Sequence, residues 1–143
     1  MSARVTLAEG REQVARCFAV MRELRPHLAS ESEFVERVVR QQRDGYKLAA
    51  MECDGEVRAL AGYRILESLW AGRFLYVDDL VTRSEDRSRG YGKQLLDWLV
   101  AEARAAGCAG LHLDSGVQRF DAHRFYHTQR MQISAYHFSL NLT

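Results

Sequence analysis

The chain has 143 residues, 47% hydrophobic and 27% charged, which is long enough to bury a core without staples and excludes the disordered and fibrous classes. A formal net charge of +1 gives no global pull toward nucleic acid or an anionic membrane, so phosphate recognition has to be local and a small-molecule partner is favoured. No apolar run reaches the ~20 residues that span a bilayer, and Met1-Ser2-Ala3-Arg4 lacks the apolar core of a secretion signal, so a cytoplasmic location is expected.

One domain covering residues 1–143 is the default at this length. Three cysteines, Cys17, Cys53 and Cys108, are odd in number and lack Cys-x-x-Cys spacing. That argues against a disulfide framework and a structural zinc site, and all three read as small buried apolar residues. The five histidines, His27, His112, His123, His127 and His137, form no metal-ligand spacing with carboxylates, so no metal is expected.

In chain order, residues 4–7 make a short strand candidate. Residues 10–24 follow with Val14, Cys17, Phe18 and Met21 at helical spacing, predicting one amphipathic helix. Pro26 interrupts it, and Ser30-Glu31-Ser32-Glu33 reads as a capping box that opens a second helix with Phe34, Val35, Val38 and Val39 as its stripe and Gly45 near its end. Residues 46–53 and 56–66 suit strands joined by the hairpin turn Asp54-Gly55, and residues 73–82 add a third antiparallel strand. A helix is expected over 94–106, closed by Gly107, and then a short strand at 111–113, parallel to the one before it if the helix is a crossover. A last helix over about 121–129 and a last strand over 133–142 complete a mixed α/β sheet with helices on both faces. Trp70 and Trp98 read as packing residues.

The stretch Arg87-Ser88-Arg89-Gly90-Tyr91-Gly92-Lys93 joins an apolar strand to a helix. The free N–H groups and dipole of a helix's first turn point at an anion there, and glycine lets the backbone come close. Arg87, Arg89 and Lys93 add charged donors suited to a diphosphate. The dinucleotide fingerprint fails because Leu95 stands where a third small residue is needed. The nucleoside-triphosphate loop fails because Arg87 and Gln94 replace its first glycine and its hydroxyl residue.

What the stretch does match is Arg/Gln-x-x-Gly-x-Gly/Ala, here Arg87-x-x-Gly90-x-Gly92, the pyrophosphate signature of the GNAT superfamily of N-acetyltransferases. Two further blocks resemble that family. Ala122-x-x-Phe125-Tyr126 looks like its last block, and Tyr76-Val77-Asp78-Asp79-Leu80-Val81 looks like its central strand. Within the superfamily the sequence is similar to small bacterial members related to histone and polyamine acetyltransferases.

The resemblance implies an α/β GNAT fold with a mixed, mostly antiparallel sheet of about 6–7 strands. It also implies transfer of acetyl from acetyl-CoA to a primary amine, on a small molecule or a lysine side chain, in a ternary complex. Tyr126 would be the general acid to the departing thiolate, and Asp78 or Asp79 would accept the amine's proton. Leu80, Val81 and Thr82 would receive the pantetheine, with N–H groups of Leu80 and Thr82 exposed where this strand and the next splay apart. Residues 87–93, from Arg87 through Ser88, Arg89, Gly90, Tyr91 and Gly92 to Lys93, would hold the pyrophosphate. Arg119 stands where many members have a pantetheine-contacting Asn, beside Ala122. The loop over about 22–32 would shape the acceptor pocket. Expected partners are acetyl-CoA and the amine, with a homodimer allowed and neither nucleic acid nor membrane involved.

Two rivals were weighed. A non-catalytic acyl-CoA-binding module should lack Tyr126 or the acidic pair, and a tRNA-directed toxin should be strongly basic; neither description fits. Because strand side chains alternate, Asp78 and Asp79 cannot share a face without a bulge. Asp78 shares its face with Tyr76 and Leu80, and the resemblance to polyamine acetyltransferases implies that it is the one at the amine. Asp79 would lie with Val77 and Val81 under a helix, satisfied by backbone donors or an arginine.

Overall fold

The computed structural model describes residues 3–143; Met1 and Ser2, on which the leader expectation partly rests, lie outside the described residues. Residues through His112 form one compact unit, and Leu113–Thr143 form a second.

The first unit is built on a mixed sheet in the order β1-β2-β3-β4-β5, comprising β1 (Arg4–Leu7), β2 (Lys47–Cys53), β3 (Glu56–Ser68), β4 (Gly72–Thr82) and β5 (Gly110–Leu113). The first three pairings are antiparallel, so the mixed character comes from β5, which returns beside β4 after a helical crossover. Ala109 N–H donates to the Arg73 carbonyl at 2.7 Å, which sets β5 beside the start of β4. Asp54 and Gly55 have φ of 56° and 77°, the left-handed pair that a tight hairpin turn demands.

The expected first helix is broken in two, α1 (Arg11–Ala15) and α2 (Phe18–Leu24). The Cys17 N–H bonds to the Val14 carbonyl at 2.9 Å, a three-residue step that tightens the chain out of α geometry. The apolar spacing survives the break, since Val14, Cys17, Val20 and Met21 are all buried. In α3 (Glu31–Gln42) the Ser30 hydroxyl accepts from the Glu33 N–H at 3.1 Å, the predicted N-cap. These helices join Leu48, Ala50, Leu60 and Val81 of the sheet in one core cluster. The opposite face is also closed: Ala49 and Met51 are buried, and α4 (Tyr91–Ala105) packs on β3 and β4. There Trp98 meets the Tyr63 ring edge-on at 6.0 Å. Burial on both faces is why β2 reads as a continuous apolar run rather than an alternation. Gly107, at φ 75°, ends α4 as expected. Among the described residues no helix is long and apolar enough to cross a membrane.

The second unit holds α5 (Phe120–Thr128), near the expected place. The expected strand over 133–142 is absent, and the described strands number five rather than 6–7. Alternation alone cannot make a strand, because its backbone groups need a paired neighbour. Tyr136, Phe138, Leu140 and Leu142 stay 83% or more exposed. Two smaller expectations also differ. Cys17 and Cys53 are buried but Cys108 is only half so, and Trp70 is 76% exposed at the β3–β4 turn, tilted against Phe74 and edge-to-face with His112.

Candidate active site

The turn over 87–93, where a phosphate is expected, is positioned by a buried charge. After β4, one turn of 3₁₀ helix (Ser84–Asp86) carries the Asp86 carboxylate inward to 1% exposure. Arg83 at 2.7 Å, Arg58 at 3.1 Å and Arg89 at 3.5 Å surround it. Burial by itself would raise the pKa of Asp86, but hydrogen bonds and charge from Arg83 and Arg58 outweigh that and hold it below its ordinary value. Asp86 thus ties β3, through Arg58, to the turn, through Arg89. The sequence concealed this, since Ser84-Glu85-Asp86-Arg87 has the composition of a solvated loop.

Beyond Asp86 the chain is exposed from Arg87 to Gly90. Ser88 and Gly90 take φ of 69° and 83°, so two left-handed residues flank Arg89 and bend the backbone into a concave turn whose N–H groups suit an anion. Gly90 is the N-cap of α4, and the first helical bond runs from the Gln94 N–H to the Gly90 carbonyl at 3.0 Å. The helix therefore starts at Tyr91 rather than near 94, with Gly92 and Lys93 inside its first turn, where N–H groups have no helical acceptor. Lys93 bonds Asp97 at 2.8 Å on the exposed face.

The acidic pair lies at a register shift. Gly62 pairs with Asp79 and Tyr63 with Val77, so Asp78 is the extra residue of a β-bulge in β4. The bulge cancels the alternation, and both aspartates line one cavity of about 420 Å³, with Arg25, His27, Leu28 and Arg37 among its other walls. The expectation that Asp78 and Asp79 part to opposite faces is corrected by the bulge, while Met21 of α2 and Phe34 of α3 on the same wall leave Asp79 beneath helices. Its satisfaction by an arginine is observed: Arg25 Nε donates to Asp79 Oδ1 at 3.0 Å, and the Tyr46 hydroxyl donates to Oδ2 at 2.8 Å. Burial and the Asp79 charge raise the Tyr46 pKa well above its ordinary value, keeping it a donor.

Asp78 is held differently. Its Oδ2 accepts from Arg64 Nε at 2.9 Å, while Oδ1 is buried without a hydrogen-bond partner. Burial raises the Asp78 pKa, and the Arg64 hydrogen bond only partly offsets this. Arg64 is itself braced by Gln41 at 2.8 Å. Gly62 makes the arrangement fit, because a Cβ there would lie 1.9 Å from the Tyr46 hydroxyl and 2.6 Å from Asp79 Oδ2.

Farther along β4, Leu80 and Thr82 are half-buried, and Val81 turns its side chain into the core. Sequence reasoning missed Arg25, Tyr46, Gly62 and Arg64. Two left a trace: Arg25, within the loop over about 22–32 expected to shape the acceptor pocket, and Arg64, as a charged residue after the apolar run of β3.

In the second unit Arg119 is the N-cap of α5, and Ala122 lies in its first turn. Tyr126 is half-buried with its ring edge against Phe125, centroids 5.6 Å apart. Burial raises its pKa and the Arg119 charge opposes the rise, so the phenol is protonated at neutral pH.

The sequence profile of the acetyltransferase (GNAT) family matches residues 13–130. A Bacillus subtilis protein described as an uncharacterized N-acetyltransferase, YhdJ, is 40% identical over 116 residues, covering 81% of this chain and 82% of its own. An aminoalkylphosphonate N-acetyltransferase of Salmonella typhimurium is 31% identical over 96 residues, 66% of this chain and 60% of its own. Among solved structures, a transcriptional regulator from Bacillus halodurans superimposes with a TM-score of 0.86 at 18% identity, covering 99% of this chain and 100% of that one; the likeness shows a shared fold. With the profile spanning most of its length and a relative at 40% identity, the chain belongs to the GNAT acetyltransferases, a family that uses acetyl-CoA as co-substrate.

Proposed function

We propose that this protein transfers an acetyl group from acetyl-CoA to a primary amine by direct attack in a ternary complex. The observation that carries the reading is the anion-ready turn before α4, exposed, left-handed at Ser88 and Gly90 and flanked by Arg87 and Arg89. The pyrophosphate rests there, and the pantetheine runs along β4 at Leu80, Val81 and Thr82. β5 has four residues and enters beside Arg73, so this end of β4 extends past it. Arg119 and Ala122 complete the cofactor contacts in this reading.

The amine occupies the cavity at Asp78 and Asp79. An ammonium group must lose a proton before its lone pair can attack the thioester carbon. Asp78 accepts that proton directly or through water, and its raised pKa makes it a better base than an ordinary aspartate. The C–N bond forms, the C–S bond breaks, and the thiolate takes a proton from Tyr126. The nitrogen's second surplus proton restores the phenol, so the products are an amide, a free thiol and one released proton.

Titration calorimetry with acetyl-CoA tests the binding half of this reading. The wild type should bind, and Gly92→Val, which sets a branched side chain in the first turn of α4, should weaken binding by at least about tenfold. Unchanged affinity in a folded Gly92→Val protein removes the assignment. Thiol release against an amine panel tests the chemistry.

A further inference from the structure

The cavity at Asp78 and Asp79 is less acidic than its two carboxylates suggest. Asp79 is matched by Arg25 at 2.9 Å and Asp78 by Arg64 at 2.9 Å. Arg37 and His27 also line the cavity. The carboxylate nearest Arg37, that of Glu33, is 3.7 Å away, and both side chains are about four-tenths exposed, a pairing that contributes little. Three guanidinium groups therefore serve two carboxylates. One acceptor atom, Asp78 Oδ1, lacks a hydrogen bond, and one cation, Arg37, has only the long, partly exposed pair with Glu33.

We propose that the acceptor is a small primary amine that also carries an anionic group, a carboxylate or a phosphonate. This rests on the reading that the cavity receives the amine. The amine nitrogen lies against the Asp78 carboxylate, which lines the cavity, and the anion pairs with Arg37 on the α3 wall. Such a molecule leaves both groups satisfied and the site near neutrality. A polyamine brings a second positive charge toward Arg25, Arg37 and Arg64 and supplies nothing to Arg37. A lysine side chain presents an ammonium group with no anion at its tip. Buried or half-buried charges left unmatched are disfavoured strongly enough to set specificity. The volume of about 420 Å³ lies in the range of small-molecule sites.

The test is thiol release at saturating acetyl-CoA with four short amines: β-alanine, 2-aminoethylphosphonate, ethanolamine and putrescine. One or both acids should exceed ethanolamine and putrescine in kcat/KM, and which acid leads identifies the anion. Replacing the guanidinium in Arg37→Gln should lower the ratio of acid to ethanolamine turnover by roughly 10- to 100-fold, the range for a hydrogen bond to a charged group. Arg37→Glu should move the preference toward putrescine. The proposal is overturned if putrescine or ethanolamine leads in the wild type, or if the ratio is unchanged in both Arg37 variants. Arg37→Lys, which keeps the charge, should recover part of the ratio and guards against a folding defect. Release with putrescine alone removes only this inference, whereas no release with any amine removes the acetyltransfer reading of the cavity as well.

Discussion

Gly62→Ala is a one-methyl change whose sign the structure dictates. In an open strand position, alanine for glycine stabilises by about 0.4–1 kcal/mol through the unfolded chain. At Gly62 the new carbon would lie 1.9 Å from the Tyr46 hydroxyl oxygen, 2.5 Å from its Cζ and 2.6 Å from Asp79 Oδ2. All three must move, and Tyr46, at 4% exposure, has little room. Overpacking of this kind costs about 1–3 kcal/mol, and losing the Tyr46 bond to a carboxylate costs about 1.5–3 kcal/mol more. The expected net loss is therefore roughly 2–5 kcal/mol, or about 10 °C in Tm for a chain of this size. Urea unfolding of the wild type, Gly62→Ala, Tyr46→Leu and the double variant gives the coupling directly. With leucine at 46 the two nearest atoms are gone, so adding the methyl should cost less by at least about 1.5 kcal/mol. A loss under ~0.5 kcal/mol in Gly62→Ala, or the same cost in both backgrounds, would refute the reasoning.

Three further expectations concern the site. Tyr126→Phe should lower kcat by about 10- to 10³-fold with acetyl-CoA affinity nearly unchanged; a wild-type kcat would show that the phenol donates no proton. Asp78→Asn should lower kcat/KM and abolish the acidic limb of its pH profile. Because the pKa of folded Asp78 lies above its ordinary value, its charging costs stability as pH rises through that raised pKa, so Asp78→Asn should hold or raise the Tm at pH 7. Asp79→Asn, which removes the charge and one of the two oxygens that accept from Arg25 and Tyr46, should lower stability by about 1–3 kcal/mol; a Tm loss in the first variant and none in the second would reverse the two roles. Asp86 has the opposite sign: its folded pKa lies below the ordinary 3.8, so it stabilises above that pH and the contribution fades as pH falls through the folded value. Asp86→Asn should therefore lower the Tm and weaken acetyl-CoA binding at pH 7, with the Tm gap closing in acid; a gap that widens in acid contradicts the charge network.

Much of the fold was legible locally. Asp54-Gly55 specifies its turn by backbone conformation, Ser30 caps a helix three residues away from its donor, and Gly107 marks where α4 ends. Each of these signals depends on neighbours within about four residues, and the same is true of the strand-turn-helix pattern over 87–93. Alternation over 133–142 is just as local, and it misled, because a strand also needs a partner edge that no short window contains.

The acidic pair marks the boundary most clearly. From residues 76–81 alone, pleat alternation separates Asp78 from Asp79, and that rule holds for any uninterrupted strand. What overrides it is the pairing of β4 with β3, where the shift between Gly62 and Tyr63 leaves Asp78 unpaired and turns both carboxylates to one cavity. Arg25, Tyr46, Gly62 and Arg64 enter that arrangement from positions 14 to 54 residues away in the chain. The sequence by itself determined most of the elements and the family; the break between α1 and α2 and the ionic pairing that sets the charge of the cavity were decided by tertiary structure, because packing and electrostatics act through space and burial rather than along the chain.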